Sequence, residues 1–224
     1  LVKRIGGEDV TVTNITENTM IQRAQIKASF KDTLEDSDAL FYIGGLEPYM
    51  DLYVDDIRNT GVDMVDLATK SAIYKFERYT STTIDGVTAG TEGPYYEGEE
   101  FANLDTYDAD PMLWMDPVAM TSMASDIRDY LVQKYPQYKD IFDENYDAVE
   151  LDLARLDADF QAIPDGKMSI SFVSMTPSFG NWQKSYGIKV YPVTLSKYGA
   201  LPTSDQLAAI KKRIKSDHVR YIAI

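Results

Sequence analysis

The chain has 224 residues, 44% of them hydrophobic and 26% charged, which is enough for one large or two small folded domains. It has no cysteine and a single histidine, His218, which excludes disulfides, thiolate metal sites and a zinc site built from several imidazoles within this chain. A formal net charge of −14 repels phosphate backbones and argues against nucleic acid as a partner.

The N-terminal third predicts alternating strands and helices. Val10–Thr13 alternates and is β-branched, so it predicts a strand, and a short helix from Phe30 is expected to lead into a strand over Ala39–Ile43. A helix over Leu46–Arg58 and a short strand over Val62–Ala68 follow. No run of about 18 apolar residues occurs anywhere, so no membrane-spanning helix is predicted.

Residues 80–109 show no periodicity and are rich in glycine, threonine, tyrosine and glutamate. A stretch of this length in a compact domain is usually functional or disordered, and we expect a mobile, acidic, Tyr-rich loop. Its end carries Asp105, Asp108 and Asp110, carboxylates that suit a hard cation, although they lack the spacing of an EF-hand.

Two helices and then an alternating strand–helix pattern follow. Asp116-Pro117 is a helix start, and apolar residues recur at helical spacing as far as Tyr135. A longer helix is predicted over 137–162, with an apolar stripe that includes Ile141 and Tyr146. The remaining predicted elements are a strand over Met168–Val173, a helix over Phe179–Tyr186, a strand over Ile188–Val193, a helix after the capping box of Thr203 and Gln206, and a strand over Val219–Ile224.

These patterns predict an α/β fold of two small lobes with parallel sheets, joined by a long linking helix, with a ligand cleft between the lobes. The expected boundaries are 1–136 for the N-terminal lobe, 137–163 for the linking helix and 164–224 for the C-terminal lobe. Because Leu1–Gly7 is already periodic and the last predicted strand ends the chain, we expect a chain trimmed at both ends.

The most informative segment is Asp108-Ala-Asp-Pro-Met-Leu-Trp-Met-Asp-Pro117. It resembles the Asp-Pro-His-x-Trp-(Leu/Met)-x-Pro stretch of the zinc- and manganese-binding solute receptors of ABC transporters. In that family the histidine is a direct metal ligand, and Met112 stands at its position. Four other segments resemble the same family in the same order: Leu1–Val10, Asp38–Tyr49, Asn145–Asp157 and Ser178–Gly187.

The resemblance implies a metal site of histidines and carboxylates, and none of its expected histidines is present. The matching positions are Gln22, Met112 and Thr176; the family's last carboxylate would follow Ile224, and its first strand would precede Leu1. Neutral oxygens and one thioether suit Zn²⁺ and Mn²⁺ poorly. Two alternatives stay open, a lost transition-metal site and an altered one that binds a divalent metal. The side chains expected to line the cleft are Glu47, Trp114, Met175 and Phe179.

The resemblance favours an extracytoplasmic solute-binding protein of an ABC transporter, of the metal-ion receptor type, with a diverged transition-metal site. It implies a membrane permease as partner, a metal ion or another small ligand, a monomeric state, and a place at the bacterial cell surface or in the periplasm, anchored outside this chain. The alternative is a structural or adhesion protein on the same fold without a small-molecule ligand. No phosphate loop, dinucleotide fingerprint or nucleophile elbow is present, and we expect no enzyme.

Overall fold

The computed structural model describes residues 1–17, 24–45, 47–68, 78–84, 87–93, 95–107, 110, 112–163 and 170–223, with the backbone alone for residues 48, 78–84 and 87–93. The α-helices in these ranges are α1 (Val2–Gly6), α2 (Phe30–Glu35), α3 (Pro48–Arg58), α4 (Pro117–Lys134), α5 (Lys139–Gln161), α6 (Gly180–Tyr186) and α7 (Ser204–Ser216). The strands are β1 (Thr16–Glu17), β2 (Gln25–Ile26), β3 (Ala39–Tyr42), β4 (Asp63–Asp66), β5 (Arg78–Ile84), β6 (Val87–Gly93), β7 (Ser171–Ser174), β8 (Lys189–Pro192) and β9 (Tyr221–Ala223).

The chain forms two compact units, each built from two separate stretches. Unit 1 comprises Leu1–Ala72 and Pro117–Asp157, and unit 2 comprises Ile73–Asp116 and Ala158–Ile224. This division differs from the boundaries expected from the sequence, because the segment before Asp116 groups with the C-terminal residues. The physical reason is a buried cluster in unit 2 that contains Tyr95 and Tyr96 from this segment together with Leu195 and Ile210.

In unit 1, β3 and β4 form a parallel pair, with Ala39 opposite Asp63 and Tyr42 opposite Asp66. The helix between them, α3, starts with a proline in its first turn, where a missing amide costs nothing. Apolar side chains from β3, α3, α2 and the segment before β1 form one core. Its buried members are Ile15, Phe30, Leu34, Leu40, Met50 and Ile57.

The two long helices predicted from the sequence are confirmed. Along α4 the residues Met123, Ile127 and Leu131 are buried at spacings of four. Along α5 the buried stripe begins at Phe142, whereas Ile141, which the sequence placed on that stripe, is 45% exposed. The division between the two units falls within α5, after Asp157.

In unit 2, β7 is the central strand of a parallel sheet with the order β8-β7-β9. Helix α6 connects β7 to β8, and α7 connects β8 to β9, so the predicted α/β alternation is confirmed. The predicted capping box is present at the start of α7: the Gln206 amide donates to Thr203 Oγ1 at 3.3 Å, and the Thr203 amide donates to Gln206 Oε1 at 2.9 Å.

The prediction of an irregular loop over 80–109 is wrong for its first half. Strands β5 and β6 form an antiparallel hairpin in which Ile84 lies opposite Val87. The sequence signal was an Asp-Gly pair at 85–86 between threonine-rich runs, which is a strong hairpin signal. The two turn residues themselves lie outside the described residues.

The predicted strand over Val10–Thr13 is not formed. Val10 has extended backbone angles, and Val12 is 51% exposed. A β-branched run becomes a strand only when another strand pairs with it, and none of the described strands does so. Among the described helices, none is long and apolar enough to cross a membrane.

Candidate functional site

Asp110 fixes the loop that carries Met112. Its side chain is buried, with 1% of its surface exposed. Oδ1 accepts the Met112 amide at 3.0 Å, and Oδ2 accepts the Asn181 amide at 3.1 Å. The Gly180 amide also donates to this carboxylate. The loop before Met112 is therefore bound to the first turn of α6.

A second contact holds the same loop. Residues Leu113–Met115 form a short 3-10 helix, and Leu113 is fully buried. The Trp182 Nε1 group donates to the Met115 carbonyl at 2.6 Å. Because one contact lies before Met112 and the other after it, the main chain at Met112 is constrained on both sides, and its side chain is partly buried.

A buried polar layer lies beside Asp110 in unit 2. Gln183 Nε2 donates to the Tyr95 hydroxyl at 2.6 Å, and the Val190 amide donates to Gln183 Oε1 at 3.4 Å. Burial raises the pKa of Tyr95 well above its ordinary value, and the nearby Asp110 carboxylate raises it further. Burial also raises the pKa of Asp110, although the three amide donors oppose that shift.

Thr176 lies in the segment between β7 and α6, and its hydroxyl is already engaged. Thr176 Oγ1 and Ser178 Oγ are 2.6 Å apart, and Ser174 Oγ donates to the Thr176 carbonyl at 2.9 Å. Ser174 and Ser178 are buried, whereas Thr176 is partly exposed. A ligand at Thr176 would therefore compete with Ser178 for the hydroxyl.

Phe179, at the start of α6, has a left-handed backbone with φ of 70°. This conformation is rare for a bulky residue and costs about 1–3 kcal/mol. Its ring packs edge-on against Phe172 and lies 4.7 Å from Trp182, centroid to centroid, and these contacts hold it there. The other two expected cleft residues of this unit, Trp114 and Met175, are 41% and 44% exposed.

Unit 1 carries two carboxylates at the carboxyl ends of its parallel strands. The Ile43 amide donates to Glu47 Oε2 at 3.0 Å. Asp66 Oδ1 accepts the amides of Gly44 at 2.8 Å and Ala68 at 2.9 Å. Burial raises the pKa of Glu47, and hydrogen bonds from the Ile43 amide and from a tyrosine hydroxyl oppose that shift. Glu47 therefore organises the strand-to-helix turn.

The predicted site residues are only partly brought together. Gln22 and Asp108 lie outside the described residues. Asp110 ties the Met112 loop to the start of α6, a few residues after Thr176 and Met175. Asp105 pairs with Lys197 at 3.0 Å instead of lining a cation site. Within the described ranges, no group of three or more His, Cys, Asp or Glu side chains is arranged to hold a metal ion.

Sequence reasoning missed the role of Asp110, Asn181 and Gln183. One local signal was available for Asp110, because an aspartate followed by proline favours a turn in which the carboxylate accepts the amide two residues later. The bonds to Asn181 and between Gln183 and Tyr95 join residues 71 and 88 positions apart, and no local pattern predicts them.

A family model described as ZnuA, zinc-uptake complex component A, periplasmic, matches residues 1–224. The chain belongs to this family. The predicted resemblance to metal-binding solute receptors is thereby confirmed over the full length of the sequence. Met112 is the residue of this chain at the position where the resemblance implies a metal-binding histidine.

Curated relatives match about half of the chain. The zinc-binding lipoprotein AdcA of Streptococcus pneumoniae serotype 4 is 29% identical over 132 residues, which is 58% of this chain and 26% of the relative. The zinc-binding protein AdcA of Streptococcus pyogenes serotype M6 is 27% identical over 113 residues, 50% of this chain and 22% of the relative. The chain thus spans about a quarter of the length of these relatives.

Solved structures show the ZnuA-type fold. A crystal structure of ZnuA has a TM-score of 0.74 at 18% identity, with 97% of this chain and 75% of that chain covered. AdcAII of Streptococcus pneumoniae has a TM-score of 0.74 at 18% identity, covering 99% and 74%. The laminin-binding adhesin Lmb of Streptococcus agalactiae has a TM-score of 0.75 at 18% identity, covering 99% and 74%. The predicted α/β architecture with parallel sheets and a long helix is that of these proteins.

Proposed function

We propose that this chain is the receptor part of an extracytoplasmic solute-binding protein of an ABC transporter, of the metal-ion type, in which the transition-metal site has diverged. The observation that carries the proposal is the family match over residues 1–224. The anchored position of Met112 in unit 2 supports it, because a loop held by Asp110 and Trp182 presents its side chain in one place.

The donor set argues for altered metal preference. Met112 offers a thioether and Thr176 a hydroxyl, whereas Zn²⁺ and Mn²⁺ favour imidazole or carboxylate. A thioether is a soft ligand and suits Cu(I) better than either. We therefore expect Zn²⁺ and Mn²⁺ to bind this unit more weakly than they bind a histidine site. Gln22 remains a candidate metal ligand. The residues proposed to line the cleft are Glu47, Trp114, Met175 and Phe179.

The same proposal covers partners and location. The cargo is a metal ion or another small ligand, and the macromolecular partner is a membrane permease, which the protein meets as a monomer at the bacterial cell surface or in the periplasm. Curated relatives are named as zinc-binding lipoproteins, which supports this location. A receptor binds and releases its cargo without turnover, so we propose no catalytic activity.

The test is native mass spectrometry of metal-stripped protein titrated with Zn²⁺, Mn²⁺ and Cu(I). We expect uptake of one ion per chain, strongest for the softest ion, and loss of that uptake in Met112→Ala. The matched control is Met120→Ala, because Met120 lies on α4 in unit 1 and is also partly buried. Met112→His should shift the preference towards Zn²⁺, since it restores the imidazole that the motif has elsewhere in the family.

Two outcomes would contradict the proposal. Uptake that survives Met112→Ala unchanged would place the metal at another site. No uptake beyond weak surface adducts, in the wild type and in Met112→His, would remove the metal-receptor function and leave the alternative, an adhesion or interaction protein on this fold. The structural neighbour Lmb is a laminin-binding adhesin, so immobilised laminin is the probe for this second arm.

A further inference from the structure

The last turn of α5 carries one aromatic side chain, Phe160, that packs in the core of unit 2. Phe160 is partly buried, whereas its neighbours Asp159 and Gln161 are exposed. Its ring centroid lies 4.7 Å from that of Trp182 and 5.0 Å from that of Tyr186, and the second pair is stacked. Because Trp182 and Tyr186 are four residues apart on α6, they share one face of that helix, and Phe160 packs on this face.

Trp182 connects this packing to the loop that carries Met112. Its Nε1 group donates to the Met115 carbonyl at 2.6 Å, and its ring lies 4.7 Å from that of Phe179, centroid to centroid. An indole has only two rotatable side-chain bonds, so the rings packed against it fix the direction of its N–H group. Phe160 therefore controls a hydrogen bond in which it takes no part.

The first turn of α6 holds this loop at both ends. The Asp110 carboxylate, before Met112, accepts two main-chain amides of the turn. Trp182, in the same turn, binds the carbonyl of Met115. The position of Met112 therefore depends on this one helical turn, and Phe160 packs against the side chain that makes the second of the two attachments.

The same rings reach the segment that carries Thr176. Phe179 lies three residues after Thr176 and has a left-handed backbone with φ of 70°, a conformation that a bulky residue keeps only when its surroundings hold it. Trp182 packs against Phe179 and helps to hold it, and Phe160 packs against Trp182 in turn. Phe160 thus supports both segments of unit 2 that carry predicted ligand positions.

We propose that Phe160 is a positioning residue for metal binding in unit 2. It locks the indole of Trp182 and thereby fixes Met112 relative to Thr176. Residues that orient a metal ligand from outside typically change metal affinity about 10- to 100-fold when they are substituted. The inference rests on the proposed metal-receptor function, and it adds that the last turn of α5 sets how tightly the site binds.

The first experiment needs no metal. Methionine methyl groups are labelled with carbon-13, and the Met112 signal is the one absent from Met112→Leu. We expect its methyl order parameter to fall in Phe160→Leu and in Trp182→Phe, because the loop then loses the contact that fixes it after Met112. The methyl group of Met123, which is buried on α4 in unit 1, should stay unchanged.

The second experiment measures affinity for Cu(I), buffered with bicinchoninate, in the same variants. We expect Phe160→Leu to bind Cu(I) about tenfold or more weakly than the wild type, and Phe160→Tyr, which keeps the ring, to restore most of the affinity. Trp182→Phe keeps an aromatic ring but removes the N–H group, so it tests the bond to Met115 alone. It also carries the test if Phe160→Leu does not fold.

The matched control is Phe101→Leu, in the other buried cluster of unit 2. Phe101 is also partly buried, and its ring stacks on Tyr96 with centroids 5.4 Å apart. The substitution removes the same atoms from a similar aromatic pair. It should lower the urea midpoint about as much as Phe160→Leu does, and leave the Met112 methyl group and the Cu(I) affinity unchanged.

Two results would overturn the proposal. One is a lower urea midpoint in Phe160→Leu and Trp182→Phe with an unchanged Met112 methyl group and unchanged Cu(I) affinity, which would make these rings structural only. The other is an equal effect of Phe101→Leu, which would indicate general loosening of unit 2. If the wild type takes up no metal while Phe160→Leu still mobilises Met112, the metal-receptor function fails and the positioning of Met112 by Phe160 stands.

Discussion

Carboxylates accept main-chain amides in both units, but they join parts of the chain that lie at very different separations. In unit 2, Asp110 links its own loop to Asn181, 71 residues further along. In unit 1, Glu47 accepts the Ile43 amide, four residues away, and Asp66 accepts the amide of Ala68 two residues later and of Gly44 in the neighbouring turn. The bond from the Asn181 amide to Asp110 is buried, whereas the bonds to Glu47 and Asp66 in unit 1 are partly buried.

This difference in burial determines how much free energy of unfolding is lost when each carboxylate is removed. If Asp110 were lost, the Asn181 amide would remain an unsatisfied donor in a buried position, and the amides of Met112 and Gly180 would lose the same acceptor. The amides at the turns of unit 1 lie nearer to solvent and lose less. The loop that carries Met112 is therefore positioned by long-range burial, and the turn that carries Glu47 is positioned by local bonds.

The largest effect should come from Asp110→Ala. Three main-chain donors lose their acceptor, at about 1–3 kcal/mol each, so the free energy of unfolding of unit 2 should fall by about 3 kcal/mol or more. Urea unfolding followed by tryptophan fluorescence measures this directly, because Trp114 and Trp182 are the two tryptophans of the chain and both lie in unit 2.

Two matched variants sharpen this result. Asp110→Asn keeps one acceptor oxygen but turns an NH₂ group towards the donors. Its free energy of unfolding should therefore lie between that of the wild type and that of Asp110→Ala. Asp66→Ala is the corresponding change in unit 1, and it should lower the free energy of unfolding by only about 1 kcal/mol. Urea unfolding followed by far-UV circular dichroism measures this change. The comparison fails if Asp66→Ala destabilises as much as Asp110→Ala.

A second pair compares glycines beside the two carboxylates. A Cβ at Gly44 would lie 2.2 Å from Asp66 Oδ2, so Gly44→Ala must displace that carboxylate from its two amides and should cost about 1–2 kcal/mol. A Cβ at Gly180 would lie 3.4 Å from Asp110 Cβ, a tolerable contact, so Gly180→Ala should change stability by no more than about 0.5 kcal/mol. Thermal unfolding of both variants checks the order, and the reverse order would contradict it.

The smallest effect is a pH dependence in unit 1. Burial raises the pKa of Glu47 above its unfolded value, so the folded state holds the proton more tightly. Stability contributed by this group is fully present below the unfolded pKa and is lost as pH rises through the folded pKa. Urea unfolding at several pH values should show this loss in the wild type and not in Glu47→Gln; equal slopes in the two proteins would rule it out.

Asp63 provides a control of opposite sign in the same unit. Hydrogen bonds from Lys134 and Tyr130 lower its pKa, so its contribution is present above the unfolded pKa and is lost as pH falls through the folded one. The free energy of unfolding of Asp63→Asn should therefore fall less than that of the wild type as the pH is lowered. Carbon-13 titration of the two carboxyl groups assigns each shift to its residue.

The sequence predicts the parts of this molecule that depend on local periodicity. The helices α4 and α5, the capping box of α7 and the strands of both parallel sheets follow from spacing and turn chemistry. The hairpin β5–β6 was missed because its threonine-rich strands carry little apolar alternation. For the site, the motif marks Met112, but the bonds that hold its loop join residues far apart in sequence. Burial and partner choice at that separation depend on the whole fold.

The discontinuous construction of both units has a consequence for synthesis. Unit 1 requires Leu1–Ala72 and Pro117–Asp157, so its first stretch is made 85 residues before its second stretch is complete. At about 5–20 residues per second, translation leaves that interval at roughly 4 to 17 s. During it, the apolar side chains of the first stretch lack the partners that the second stretch supplies, so unit 1 cannot be completed before Asp157 has been made.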